Sequence, residues 1–145
     1  MALPGRDGCN RRMSEAPLGP LVAIVDTSAD VAELLRAAAR EEGYRTVVGW
    51  VRNFREGVDD LATFLRTHEP DVVIWDITLP YEDNWRYVEG VRAGGIMQDC
   101  PLVLTTTNKR ALEALVGDTE SIELVGKPFD LDAIFAAVRR ARAAG

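Results

Sequence analysis

The stretch Asp71-Val-Val-Ile-Trp-Asp76-Ile-Thr-Leu-Pro80 decides the fold. Its four consecutive large apolar residues, Val72 to Trp75, are bounded by acids and closed by a proline. They read as a strand over 71–75 buried on both faces. A strand that buries such a run and then delivers a carboxylate at its C-terminal end is building a site around Asp76. By the period of two, Trp75 faces the side opposite to Asp76 and belongs to the core.

Working outward from this strand, short apolar runs alternate with longer amphipathic stretches. Leu21-Val-Ala-Ile-Val25 reads as a strand, and 29–42 reads as a helix, with Val31, Leu34, Leu35 and Ala38 at helical spacing. Gly43 stands where a helix C-cap belongs. Further along, 45–50 is a strand and 53–67 a helix. A helix over 84–93 ends at Gly94-Gly95, and 101–106 is the fourth strand. A helix over 109–116, a strand over 122–125 and a helix over 130–143 complete the chain. Strict alternation of strand and helix predicts a parallel sheet covered on both faces, a fold of the α/β class. The first twenty residues, with Pro4-Gly5, Gly8, Pro17 and Gly19-Pro20 and no apolar periodicity, read as a disordered tail, leaving one domain over 21–145. Met13 is an alternative start.

In such a sheet a ligand site lies outside the C-terminal ends of the strands. Those ends deliver Asp26, Asp76 and Thr106, with Lys127 just beyond the fifth strand. Two acids suit a hard divalent cation such as Mg²⁺, and a hydroxyl and an ammonium suit phosphoryl oxygens. Within Thr105-Thr106-Thr107, Thr106 is the expected site-facing hydroxyl.

Val25-Asp26, Trp75-Asp76 with Pro80 four residues on, Thr106 and Lys127-Pro128-Phe129 together resemble the receiver domain of two-component response regulators, and the resemblance runs from Leu21 to the C-terminus. It implies a flavodoxin-like doubly wound (βα)5 fold with a five-stranded parallel sheet in the order 2-1-3-4-5. It implies a signalling protein rather than an enzyme, with at most Mg²⁺-dependent self-phosphorylation and autodephosphorylation. Asp76 would accept a phosphoryl group from a sensor histidine kinase or phosphotransfer protein. Asp26, Asp76 and the backbone carbonyl of Thr78 would hold Mg²⁺, Thr106 would bond the phosphoryl oxygens, and Lys127 would pair with the phosphate. An output partner protein would read the result, and the face of the 109–116 helix and fifth strand is a surface for a homodimer. The Lys-Pro bond is commonly cis in the family.

Three departures qualify the resemblance. The usual pair of acids after the first strand is Asp26-Thr27 here, which predicts weak Mg²⁺ binding. Thr27 reads as the cap of the first helix, with Asp30 completing a capping box, and Ser28 is the alternative cap. The loop Tyr81-Glu-Asp-Asn-Trp85 is acidic and aromatic. Glu82 and Asp83 read as first-turn acids favoured by the helix dipole, or as a replacement charge for the metal. Tyr81 and Trp85 shield the site, form a partner surface or pack against the loop. Leu124 stands where the family often carries a switch aromatic. These departures leave a second reading, a pseudo-receiver that docks or dimerises without phosphorylation. A remote third, a binder of flavin or another phosphate-bearing ligand, lacks a phosphate loop after the first strand.

Composition excludes other classes. The chain has 145 residues, nearly half of them apolar, enough for one core. A net charge of −6 repels a phosphate backbone, which disfavours direct binding of nucleic acid. No apolar run approaches the ~20 residues of a membrane span and no signal peptide opens the chain, so the expected compartment is the cytoplasm. Cys9 and Cys100 form no spacing motif and read as free thiols in a reducing cytosol. His68, the one histidine, reads as a surface residue, and a zinc site is disfavoured.

Overall fold

The computed structural model describes residues 19–117, 122–127 and 130–144. Its elements follow in the order β1 (Leu21–Asp26), α1 (Ala29–Glu41), β2 (Arg45–Trp50), α2 (Val51–Glu56), α3 (Leu61–His68), β3 (Val72–Ile77), α4 (Tyr81–Ala93), β4 (Leu102–Thr106), α5 (Lys109–Val116), β5 (Ile122–Gly126) and α6 (Leu131–Ala144). The five strands are parallel and lie in the order β2-β1-β3-β4-β5, as expected. β1, β3 and β4 are buried along their whole length, which is why their sequences are nearly unbroken apolar runs.

Side-chain alternation divides the core in two. Val22, Ile24, Val72, Ile74 and Val103 face α1 and α6, where Ala32, Leu35, Ala39, Ala137 and Ala141 allow close helix-on-sheet packing around Phe135. Val73, Trp75, Ile77, Leu102 and Leu104 face the other way, onto Phe54, Leu61, Leu65, Trp85, Val88 and Leu112. Trp75 is core, as its parity predicts, with its ring 6.3 Å from that of Phe54 and 6.1 Å from that of Tyr87. Gly49 in β2 is part of this packing. A Cβ there would stand 2.7 Å from Phe54 Cε2, so only glycine lets that ring lie against the strand.

The helix expected over 53–67 is two helices. α2 starts directly from β2 and stops at Gly57, which takes a left-handed conformation (φ 79°). α3 restarts at Asp60, whose carboxylate accepts from the Thr63 amide at 2.9 Å. A continuous apolar spacing hid this break. α4 begins three residues earlier than expected, with Glu82 and Asp83 in its first turn.

The disordered-tail expectation concerns mostly residues outside the described ones, but Gly19 and Pro20 are part of the domain edge. Their carbonyls accept from Arg45 Nε and Arg45 N, both at 2.9 Å. The free-thiol reading of Cys100 does not hold: this residue is fully buried and disulfide-bonded. Cys9 lies outside the described residues. The Leu79–Pro80 bond is cis; Pro128, and with it the Lys127–Pro128 bond, also lies outside them.

Candidate functional site

At the C-terminal ends of β1 and β3, Asp26 and Asp76 occupy the same face of the sheet as Ile24 and Ile74, by the period of two. Both carboxylates are buried. Asp76 is held by three donors: Oδ1 accepts from Thr105 Oγ1 at 2.9 Å and lies 2.6 Å from Lys127 Nζ, and Oδ2 accepts from Thr27 Oγ1 at 2.6 Å. Lys127 reaches this point because its backbone N–H donates to the Thr106 carbonyl at 2.6 Å, continuing the β4–β5 ladder past the end of β5.

Asp26 is less completely satisfied. Its Oδ1 accepts from the amides of Thr27 (2.7 Å) and Ser28 (3.0 Å), while Oδ2 has no hydrogen-bond partner. Burial pushes the Asp26 carboxyl above its ordinary range, and the Asp76 charge adds to the rise against the two amide bonds and Lys127. Two acids faced by one ammonium leave the cluster one negative charge in excess. An orphaned, buried carboxylate oxygen beside a second carboxylate is what a small hard cation would complete, so the donor set fits Mg²⁺. It fits thinly, because no group of three or more His, Cys, Asp or Glu that could hold a metal occurs among the described residues.

Thr106, the expected hydroxyl, does not reach Asp76. The ladder pairs Asp76 with Thr105 and Ile77 with Thr106, so alternation aims Thr105 at the carboxylate and Thr106 at the opposite core. The Thr106 hydroxyl instead accepts from the Asn108 amide at 3.2 Å. Thr27 does not cap α1 either. Ser28 is the cap, its hydroxyl accepting from Val31 N at 3.3 Å, which leaves the Thr27 hydroxyl for Asp76.

The acidic-aromatic loop supplies no charge to the carboxylates. Glu82 pairs with Arg86 at 2.5 Å and Asp83 with Arg55 at 3.2 Å, consistent with their first-turn reading. Trp85 is buried against the core, and the Tyr81 hydroxyl lies 2.5 Å from Thr107 Oγ1. The Thr78 carbonyl accepts from Asn84 Nδ2 at 2.8 Å. Leu124 is half-buried and packs against the aromatic side of the core. His68 closes α3 with its ring 4.8 Å from that of Phe64.

A cleft of about 510 Å³ opens beside the acids, lined by Asp26, Thr27, Trp50, Arg52 and Asn53. The contribution of the β2–α2 junction to this wall was not read from sequence. On sequence alone, residues 51 and 52 fall between strand and helix, whereas α2 starts at Val51 with no loop after Trp50. Thr105 was weighed and passed over for Thr106, and Asn84 was missed; the first needs the strand register and the second a side chain's contact with a distant carbonyl.

A family model for the response regulator receiver domain matches residues 22–139. Among solved structures, the chain is similar to chemotaxis protein CheY4 of Vibrio cholerae, at 20% identity over 84% of this chain and 98% of that one, with a TM-score of 0.61. It is similar to a sensor protein from Polaromonas sp. JS666, at 19% identity over 86% of this chain and 96% of that one, with a TM-score of 0.66. The receiver domain of the Francisella response regulator 1452 matches at 20% identity over 88% of this chain and 100% of that one, with a TM-score of 0.63.

Proposed function

Because the chain belongs to the response regulator receiver domain family, we propose that it is a phosphoacceptor, modified on Asp76 by a sensor histidine kinase or phosphotransfer protein and read by an output partner protein. The observation that carries this reading is Lys127 Nζ on Asp76 Oδ1 at the C-terminal edge of the sheet, which leaves Oδ2 as the nucleophilic oxygen. Oδ2 attacks phosphorus in line, the bond from phosphorus to the donor's imidazole nitrogen breaks, and that nitrogen keeps the electron pair. For this the Thr27 hydroxyl must release Oδ2. Lys127 then pairs with the phosphoryl oxygens, and the Thr105 hydroxyl stands in reach of them, with Thr106 able to join only if the end of β4 rearranges.

Asp26 Oδ2, Asp76 and the Thr78 carbonyl are the groups that would hold Mg²⁺. When bound, the ion would supply positive charge to the carboxylates and the incoming phosphoryl oxygens. The role is that of a signalling module working in the cytoplasm. Among the described residues, no helix is long and apolar enough to cross a membrane. Pairing of two copies through α5 and β5 is part of the same reading.

Acetyl phosphate or beryllofluoride, given with Mg²⁺, is expected to modify the wild type and not Asp76→Asn, as read by intact mass and by amide spectra. An unmodified wild type at saturating Mg²⁺ overturns the proposal. A second reading, a pseudo-receiver that docks without phosphorylation, is favoured by one feature. Thr27, Thr105 and Lys127 satisfy both oxygens of Asp76 with no cation. In that case Asp76→Asn leaves partner binding unchanged.

A further inference from the structure

Asn84 lies in the first turn of α4, eight residues beyond Asp76, and its side chain makes two bonds in opposite directions. Its Nδ2 donates to the Thr78 carbonyl at 2.8 Å, and its Oδ1 accepts from Arg55 Nη1 of α2. Arg55 is fixed in turn by Asp83 Oδ2, 3.2 Å from Nη2, and by the face of Tyr87, whose centroid is 5.1 Å from the guanidinium carbon. Tyr87 itself packs on Trp75, the residue before Asp76.

From this chain of contacts we infer that Asn84 is a positioning residue, locked by Arg55, that orients the Thr78 carbonyl toward the cation site beside Asp76. The inference rests on the phosphoacceptor reading for its consequence, not for its geometry. A backbone carbonyl in a loop is free to rotate with its peptide plane, and a short hydrogen bond to one lone pair fixes that plane while leaving the other lone pair available. Hydrogen-bond partners of this kind are what orient the groups that touch a metal. The side-chain amide is suited to the task because it accepts from the guanidinium with one end and donates to the carbonyl with the other. Neither an acid nor an alanine does both.

The test uses the full chain in four variants: Asn84→Ala, Arg55→Ala, the double variant and Asp83→Ala. Asn84 and Arg55 are not core residues, so folding is retained. In ¹³C spectra of the metal-free protein, Asn84→Ala is expected to move the Thr78 carbonyl resonance upfield, as loss of its hydrogen bond requires. Titrated with Mg²⁺ alone, the same variant binds about tenfold more weakly than wild type. Arg55→Ala changes both in the same direction by less, and the double variant matches Asn84→Ala, because Arg55 acts through Asn84. Asp83→Ala removes one of the two restraints on Arg55 and changes both by no more than Arg55→Ala does. An unmoved Thr78 resonance in Asn84→Ala overturns the inference, as does unchanged Mg²⁺ affinity. An Asp83→Ala effect equal to that of Asn84→Ala overturns it too, since helix charge rather than the amide would then be at work. If the wild type binds no Mg²⁺, the phosphoacceptor reading and the cation role fall, while the carbonyl resonance still decides whether Asn84 positions the loop.

Discussion

The face of the sheet under α1 and α6 is alanine-rich around one stacked pair, Tyr44 and Phe135, whereas the face under α2 to α5 carries the larger aromatic group Trp75, Phe54, Trp85 and Tyr87. The plain face ends in Asp26, Asp76, Thr105 and Lys127, and the aromatic face ends in Thr106 and the loops around it. Charged groups are therefore set above the closely packed alanine-rich layer. The larger aromatic cluster lies on the other side, around Trp75. Two adjacent threonines, Thr105 and Thr106, fall into different environments only because of this division.

The comparison breaks first at Trp75. Trp75→Ala would leave a cavity bordered by Phe54 and Tyr87 and is expected to cost about 3–5 kcal/mol in urea unfolding. If the aromatic face relaxes to fill the space, the loss will be well under that, and the layer is softer than described.

A finer cut separates the threonines. Thr105→Val removes a donor from a buried carboxylate and should cost about 1.5–3 kcal/mol, the range for hydrogen bonds to charged groups. Thr106→Val removes an acceptor from one loop amide and should cost about 1 kcal/mol, the range for a neutral bond. Equal losses in paired denaturation curves would mean that the register does not sort the two hydroxyls.

The smallest effect concerns Asp26, and its sign is fixed by linkage. Its folded-state carboxyl holds a proton more tightly than the unfolded one, chiefly through burial, so the folded state binds more protons just above pH 3.8. Stability from this group is complete below the unfolded value and is lost as pH rises toward the raised folded value. In chelator-treated buffer, the wild type minus Asp26→Asn difference in unfolding free energy should therefore fall as pH rises from about 4 toward neutrality. A flat difference would mean that Asp26 is compensated by its two amide bonds and Lys127.

The alternation that gave the sheet was legible because β3, β1 and β4 are buried on both faces and must be apolar throughout. Asp26, Asp76 and Lys127 followed from it, since the ends of parallel strands converge. What sequence could not decide was direction over one residue. Thr105 and Thr106 exchange faces with a shift of one in register, and Thr27 and Ser28 both lie within reach of the α1 amides. The break between α2 and α3 was lost for a related reason: Gly57 sits inside a run of helical spacing, and only the left-handed turn reveals it. Asn84 had no signature at all, because a side chain bonding a carbonyl six residues back imposes no pattern on its neighbours.

Gly49 bears on the site from a distance. With Phe54 at 2.7 Å and Phe64 at 3.3 Å from where a methyl would stand, β2 can accept a side chain at 49 only if the Phe54 ring shifts and the Phe64 ring gives way slightly. Phe54 stacks on Trp75, and Trp75 precedes the carboxylate. A side chain at 49 would therefore be felt, through Phe54, at Trp75, the residue beside Asp76.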